Sequence, residues 1–227
     1  MAPTALLQIK PFQTHGGAVH ERLRSMISSR ELAPGDSFSL REMASRLGVS
    51  ITPVRDAIQM LRNHGLLEKT ARLGYRVVTV TRERILGYYA VRRALLAEAA
   101  RLATERITDP DLCDLSALAA RTDALIEAGN YDEAAPLDNA FHTRLARIAG
   151  LPFLEAQIAR LDAFGIMLSA PVPPHWHSHK RLVDALRARD PDLAALEVRA
   201  HVDNALQCDL TARESEGAQE PSPSLEN

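Results

Sequence analysis

Aromatic residues, cysteines and long apolar runs are all scarce in this sequence. Aromatic residues account for 4% of the 227 residues, whereas 46% are hydrophobic and 25% are charged, a balance typical of a globular protein that favours helix over sheet. No stretch approaches the roughly 18 uncharged apolar residues of a membrane span. The first residues, MAPTALLQIKPF, lack the basic stretch and long apolar stretch of a secretory signal peptide. We therefore expect neither a membrane protein nor a secreted one.

The two cysteines, Cys113 and Cys208, are too few for a disulfide framework and do not form a CxxC pair. We expect both to be small, mostly buried hydrophobic side chains. This cysteine usage favours a cytoplasmic location, where thiols stay reduced.

Charge is divided unevenly along the chain, although the net charge is only −2. Residues 1–80 contain 11 Lys and Arg against 6 Asp and Glu, a net of +5, whereas residues 81–227 contain 16 against 23, a net of −7. A basic front half indicates that this part of the chain contacts a polyanion. Charge differences of this size also arise by drift, so charge alone does not establish contact with a polyanion. A DNA-binding motif in the same part of the chain is needed as well.

The first 80 residues predict three helices and a β-hairpin, from apolar spacing and from Pro-Gly and Gly turns. The predicted helices are 18–29, 39–47 and 53–64, and the predicted strands are 66–69 and 75–80. Ser39 is the predicted N-cap of the second helix, and Thr52 is that of the third, just before Pro53. Gly74 allows the hairpin to turn tightly. This order of elements is the outline of a winged helix-turn-helix domain, which we place at residues 10–80.

From residue 82 onward the sequence changes to long amphipathic stretches separated by prolines and glycines. The predicted helices are 82–106, 109–128, 131–149, 151–169, 174–189 and 191–213. Asp109 and Asp190 each precede a proline and are predicted N-caps. We therefore expect a mainly α-helical protein, with an all-helical bundle over 81–213. The polar, acidic tail over 214–227 is predicted to be disordered.

The predicted helix-turn-helix supplies candidate DNA contacts. Its second helix lies in the major groove and contacts base edges through its N-terminal residues, which here begin at Ser50. Arg55, one turn into that helix, is placed to contact guanine or phosphate. Arg41 in the preceding helix and Arg72 beside Gly74 are placed to contact the DNA backbone. The alternative is that these arginines are ordinary solvated surface charges.

The run from Ala18 to Val78 resembles the DNA-binding domain of the GntR family of bacterial transcription regulators. Its centre, LAPGDSFSLREMASRLGVSITPVRDAIQMLRNHGLL, contains the PGD and LGVS turns and the segment TPVRDAI. The resemblance implies that DNA is contacted by Arg41, Thr52, Arg55 and the wing around Gly74. The sequence departs from the family at Ile51, where arginine is common, and an isoleucine there can contact a thymine methyl group.

A second group of polar residues has the spacing of a metal site. Asp138 and His142 are four residues apart in a predicted helix and therefore share a face, and His179 and His201 lie in two later helices. One aspartate and three histidines from three helices of a bundle suit a divalent metal such as zinc, nickel or iron. The alternative is that they are unrelated polar residues or core histidines. The rival ligands are His175 and His177.

The residues DNAFH at 138–142 and HKRLVDALRARD at 179–190, followed by His201, resemble the FCD ligand-binding domain. That domain is an all-helical bundle and defines the FadR subgroup of GntR regulators. Its metal-binding branch implies a metal, with zinc preferred, a small carboxylate effector, and the ligands Asp138, His142, His179 and His201. Arg92 matches an arginine that is suited to pair with a carboxylate, although Leu96 replaces a glutamate usual in the family. The alternative is that Arg92 is a surface residue.

These patterns and resemblances favour a cytoplasmic, homodimeric, ligand-responsive transcription regulator. They leave open whether it is a repressor or an activator, although release of DNA on effector binding is the commoner behaviour in the family that the sequence resembles. The dimer is expected to bind double-stranded operator DNA, and a carboxylate effector is expected to change the operator affinity. One alternative is a metal-dependent hydrolase or lyase in the helical half. Because the sequence has no HExxH helix, P-loop or dinucleotide-binding glycine pattern, we expect a protein that is not an enzyme. A helical adaptor without a ligand is a third alternative.

Overall fold

The computed structural model describes residues 15–71, 74–165 and 179–217. The chain divides into two compact units, one up to Val80 and one from Thr81 onward. The fold is mainly α-helical, with one small sheet in the N-terminal unit, which confirms the predicted fold class. None of the described helices combines the length and the apolar character needed to span a bilayer.

The N-terminal unit is a winged helix-turn-helix. Its elements are α1 (His15–Ser28), β1 (Ser37–Phe38), α2 (Leu40–Leu47), α3 (Ile51–Asn63), β2 (Leu67–Thr70) and β3 (Gly74–Val77). The helix α3 packs against α1 and α2, and the three strands form an antiparallel sheet in the order β1-β3-β2. The largest side chains of its core are buried, among them Leu23, Met26, Met43, Ile58 and Leu61. This packing holds α3 in place as a rigid surface element.

The sheet has one strand more than the predicted hairpin. The extra strand, β1, is only two residues long, and Ser37 and Phe38 pair with Arg76 and Tyr75 of β3. Two residues are too few for an apolar alternation that a sequence pattern could detect. The first helix also begins three residues earlier than predicted, at His15.

The caps of α2 and α3 set the helix-turn-helix. Ser39 and Glu42 form a capping box at the start of α2, which confirms Ser39 as its N-cap. At the start of α3 the prediction was wrong, because Ser50 and not Thr52 is the extended N-cap residue and the helix begins at Ile51. Pro53 fits inside the first turn since the N–H groups there have no partner within the helix.

The C-terminal unit is a bundle of six described helices. They are α4 (Arg82–Arg106), α5 (Asp109–Glu127), α6 (Tyr131–Ile148), α7 (Pro152–Gly165), α8 (Lys180–Arg187) and α9 (Pro191–Gly217). The long helix α4 packs against α6, α7, α8 and α9, and α5 packs against α6 and α8. On α4, the buried residues Leu96, Ala99, Ala100 and Ala103 form a narrow apolar surface, so neighbouring helices can approach closely.

Several bounds in the C-terminal unit differ from the prediction. The helix α7 is described as far as Gly165, and α8 begins at Lys180. The predicted end of the first helix at residue 169 and the predicted start of the next at residue 174 both lie outside the described residues. The helix α9 continues to Gly217, four residues into the tail predicted to be disordered, and the rest of that tail lies outside the described residues.

Two smaller expectations are corrected as well. Thr108, and not Asp109, is the N-cap of α5, where it forms a capping box with Asp111. Asp190 does accept a hydrogen bond from the backbone N–H of Leu193, in the first turn of α9. Cys113 is exposed and Cys208 is only half-buried, because the faces of their helices that carry them are not fully covered.

Candidate metal centre and nucleic-acid interface

Three parts of the helical unit bring one aspartate and three histidines together, a group that we call the Asp–His cluster. Asp138 and His142 are one turn apart on α6, His179 immediately precedes α8, and His201 lies on α9. The possible ligand atoms of the four residues all lie within 4.8 Å of one another. Asp138 Oδ1 is 3.1 Å from Nε2 of His179, 3.6 Å from that of His142 and 3.8 Å from that of His201.

The spacing of these atoms fits a metal ion better than a set of hydrogen bonds. The Nε2 atom of His142 lies 3.3 Å from Nε2 of His201 and 3.4 Å from Nε2 of His179. A single ring nitrogen offers one proton or one lone pair, so it cannot form good hydrogen bonds to both histidines and to Asp138. A metal about 2.0–2.2 Å from each ligand places neighbouring ligand atoms about 3–3.5 Å apart. The side chains present therefore fit a divalent metal.

Two members of the cluster have shifted pKa values that favour the protonation states a metal needs. The three histidines are buried, and the Asp138 side chain is only 15% exposed. Burial lowers the pKa of His142 even though Asp138 lies nearby. Burial alone would raise the pKa of Asp138, but the His142 and His179 imidazoles hold it well below its usual value. Neutral imidazoles and an ionised carboxylate are the forms that bind metals.

The ring of Phe141 helps to orient the cluster. It is fully buried on α6, and its centroid lies 4.1 Å from that of His179 and 5.6 Å from that of His142. Contact with a rigid aromatic ring restricts the rotamers of both imidazoles. The sequence places Phe141 next to His142 but gives no sign of its contact with His179.

Arg92 lies beside the Asp–His cluster but is not a free anion-binding group. It is buried on α4, and its Nη1 donates hydrogen bonds to the Asp162 carboxylate and, at 2.9 Å, to the Tyr88 hydroxyl. Its Nη2 lies 4.0 Å from Oδ2 of Asp138. Sequence reasoning missed both hydrogen-bond partners. Tyr88 is one helical turn before Arg92 and could have been found from spacing, whereas Asp162 is 70 residues away and left no local signal.

A second buried polar pair joins the first and last helices of the same unit. The Tyr89 hydroxyl donates a hydrogen bond of 2.7 Å to Oδ2 of Asp209, and both residues are buried. Burial raises the pKa of Asp209 to about 6, although the Tyr89 hydrogen bond and Arg213 act in the opposite direction.

The predicted DNA contacts of the N-terminal unit lie at the surface around α2 and α3. Arg41, Ser50, Thr52 and Arg55 are all exposed. Within the described part of the chain, neither Arg41 nor Arg55 has a carboxylate partner. The Ser50 side chain makes no capping hydrogen bond to α3. These side chains are therefore not committed to contacts that would keep them from a phosphate or a base edge.

The wing begins at Gly74, where the backbone adopts a φ of +89°. A Cβ atom at this position would lie 2.9 Å from the carbonyl oxygen of Phe38 and 3.2 Å from the Cα of Ser39. Glycine is therefore required both by the dihedral angle and by the close approach of β1. The predicted contact Arg72 lies outside the described residues, and Arg76 forms a salt bridge of 2.7 Å with Glu68.

Known protein families match both units. Residues 16–77 match the bacterial regulatory proteins of the gntR family, and residues 88–204 match the FCD domain. The HTH-type transcriptional repressor RspR of Escherichia coli (strain K12) is 26% identical over 206 residues, which cover 88% of this chain and 90% of RspR. The probable D-xylose utilization operon transcriptional repressor of Paenarthrobacter nicotinovorans is 32% identical over 171 residues, which cover 71% of this chain and 74% of the relative.

A solved structure has the same fold. The structure of E. coli McbR/YncC matches with a TM-score of 0.74 and 22% identity, covering 89% of this chain and 100% of that one. The family and these relatives are transcription regulators and not enzymes. The chain therefore belongs to the GntR family of bacterial regulatory proteins, and its FCD domain places it in the FadR-like subgroup.

Proposed function

We propose that the protein is a homodimeric, ligand-responsive repressor that binds operator DNA through its N-terminal unit and a small carboxylate effector through a metal in its helical unit. The observation that carries the proposal is the convergence of the Asp–His cluster in a chain whose N-terminal unit is a winged helix-turn-helix. As a regulator of bacterial transcription, it would act in the cytoplasm.

The DNA half of the proposal is supported by charge and exposure. Residues 1–80 carry a net charge of +5, and exposed side chains surround the N-terminal end of α3. We assign DNA contact to Arg41, Ser50, Thr52, Arg55, Arg72 and Gly74. In a dimer, two such helices contact two half-sites whose spacing follows the two-fold symmetry.

The effector half is supported by the chemistry of the Asp–His cluster. We assign metal binding to Asp138, His142, His179 and His201, with zinc preferred for a set of three imidazoles and one carboxylate. When bound, the divalent cation supplies a positive centre for a carboxylate. We assign effector binding to the neighbouring Arg92, whose guanidinium is paired with Asp162 in this structure. The 15% exposed side chain of Asp138 marks the side on which the cluster is least covered.

DNA binding and effector binding are linked if the effector binds two arrangements of the dimer with different affinities. Effector binding then shifts the population toward the arrangement that the effector prefers. The change in the free energy of operator binding that results equals the change that operator binding causes in the free energy of effector binding. For a repressor, the effector weakens DNA binding.

A gel-shift titration with the promoter region of the protein's own gene tests the proposal. We expect sequence-specific binding that weakens steeply with salt, and we expect Arg55→Ala to weaken it by about 1–3 kcal/mol. The matched control is Arg101→Ala, which removes an exposed arginine of α4 that pairs with Glu98 and should leave DNA binding unchanged. Equal binding of promoter and unrelated DNA by the native dimer would contradict the proposed function.

A further inference from the structure

Arg92 is a buried guanidinium that lies between two carboxylates. On one side Nη1 donates to Oδ1 of Asp162, and on the other Nη2 faces Asp138 at 4.0 Å. Arg92 is 7% exposed and Asp162 is 9% exposed. A charged pair removed from water to this degree is favourable only if its remaining polar atoms also find partners.

Asp162 does not meet this condition. Its Oδ2 atom is buried and has no hydrogen-bond partner among the residues that the structure describes. A buried carboxylate oxygen without a partner destabilises the folded state, because it has lost its hydrogen bonds to water and has formed none within the protein. The Arg92–Asp162 pair is therefore a poorly satisfied contact at the side of the Asp–His cluster, and such groups call for an explanation.

The charges around Arg92 determine whether another carboxylate can bind there. One guanidinium faces two carboxylates, so a third carboxylate entering the site would meet repulsion. If Asp138 serves as a metal ligand, its charge is matched by the cation, and Asp162 is the described carboxylate that is left to Arg92. The chain itself therefore supplies the carboxylate that pairs with Arg92.

We propose that Asp162 is a built-in substitute for the effector carboxylate, which occupies Arg92 in the effector-free protein and is displaced when the effector binds. This inference rests on the proposed effector site and adds how that site is regulated. Asp162 lowers the affinity for carboxylates and thereby sets the concentration at which the regulator responds.

The position of Asp162 couples this exchange to the last described turn of α7. Asp162 lies three residues before Gly165, the last described residue of that helix. At Gly165 a Cβ atom would lie 2.6 Å from the Tyr88 hydroxyl, and that hydroxyl accepts the other hydrogen bond from Nη1 of Arg92. This described turn of α7 is therefore held against α4 through Arg92 and Tyr88, and release of Asp162 loosens it.

The test compares binding of glycolate and of its uncharged analogue glycolamide to the zinc-loaded full-length protein by isothermal titration calorimetry. We expect Asp162→Asn to bind glycolate about tenfold more tightly than the wild type, since one charge-assisted hydrogen bond no longer has to be broken. Glycolamide binding should not change. The matched control is Asp209→Asn, which alters a buried aspartate that pairs with Tyr89 instead of Arg92 and should leave glycolate affinity as in the wild type.

Hydrogen exchange supplies a second readout. Glycolate should speed amide exchange in residues 158–165 of the wild type, whereas in Asp162→Asn the same amides should exchange fast without glycolate. Should Asp162→Asn fail to fold, Asp162→Ser removes the same charge and carries the test. Failure of both variants to fold would mark the pair as a structural requirement and overturn the inference.

The outcomes separate this inference from the proposed function. A folded Asp162→Asn that binds glycolate as the wild type does, or more weakly, overturns the role of Asp162 and leaves the effector site intact. If neither the wild type nor the variant retains zinc or binds glycolate, the proposed effector site itself is wrong and the inference falls with it.

Discussion

The Nε2 atoms of His142 and His201 lie 3.3 Å apart, although the two residues are 59 positions apart in the chain. Both side chains are buried, and both face Asp138 Oδ1. The helix α4 packs against both α6 and α9, and this packing places the three groups at the distances of a metal coordination sphere.

The first prediction concerns metal content. Protein purified without a histidine tag should contain close to one equivalent of zinc, nickel or iron by elemental analysis, and His179→Ala should lose it. The His179→Ala change removes one of the four candidate ligands of the Asp–His cluster. Added metal should also raise the melting temperature of the wild type, because an ion that binds the folded state stabilises it by mass action.

The controls for this prediction are the rival histidines. His175→Ala and His177→Ala should keep the metal of the wild type if the Asp–His cluster is complete. Retention of metal by His179→Ala together with its loss in His177→Ala would reassign the site.

The second prediction concerns pH and the Tyr89–Asp209 pair. Burial raises the pKa of Asp209 to about 6 from an ordinary value of 3.8. The folded state therefore binds a proton that the unfolded chain has released, so this contribution to stability is complete below pH 4 and is lost as pH rises through 6. Relative to Asp209→Asn, the wild type should lose up to about 3 kcal/mol between pH 4 and 7.

Urea unfolding of both proteins at each pH measures this difference. Asparagine keeps the shape of the side chain and still accepts the Tyr89 hydrogen bond, so the two proteins should be similar near pH 4. A difference in the free energy of unfolding that stays constant from pH 4 to 7 would contradict the assignment.

The third prediction concerns operator specificity. Ile51 is the first residue of α3, is 37% exposed, and lies one turn before Arg55. If it contacts a thymine methyl group, Ile51→Ala should weaken operator binding by about 1 kcal/mol, the size of one or two lost methyl contacts. Replacing the contacted thymine with uracil should cost the wild type the same amount and the variant almost nothing, as measured by fluorescence anisotropy.

The matched control is Met60→Ala, which removes an exposed apolar side chain near the other end of α3. It should discriminate between thymine and uracil operators as the wild type does. Wild-type affinity that is the same for both operators at every half-site position would exclude methyl contact by Ile51.

The fourth prediction concerns the wing. Gly74→Ala should destabilise the N-terminal unit by about 1–3 kcal/mol, because alanine resists the φ of +89° and its Cβ would clash with the carbonyl of Phe38. Gly87→Ala is the matched control, since this exposed glycine lies within α4 with nothing within 4 Å of an added Cβ. That variant should be about 0.5–1 kcal/mol more stable than the wild type. Thermal unfolding of both variants provides the comparison.

Local signals predicted most of the fold. The bounds of α4 match the predicted 82–106, and those of α5 and α6 differ from the prediction by one residue, because prolines, glycines and capping residues mark helix ends within a few positions. The strand β1 could not be predicted, because it exists only through pairing with β3, in which Ser37 is paired with Arg76, 39 residues later.

The candidate site divides in the same way. The i, i+4 spacing of Asp138 and His142 was visible in the sequence, and the structure brings His179 and His201 to them. Metal ligation by these residues stays a prediction. The contact between Arg92 and Asp162 joins two helices across 70 residues, and nothing near either residue indicates it. Side-chain pairs of this kind follow from how helices pack, which no local pattern encodes.

The joint between the two units has a consequence for how such regulators evolve. Val78 is the last buried residue of the N-terminal unit, and Thr81 is already the N-cap of α4. The covalent connection is therefore Thr79 and Val80, neither of them a core side chain. A recombination event at this point would exchange one unit without cutting the core of either, so the two units can be inherited separately.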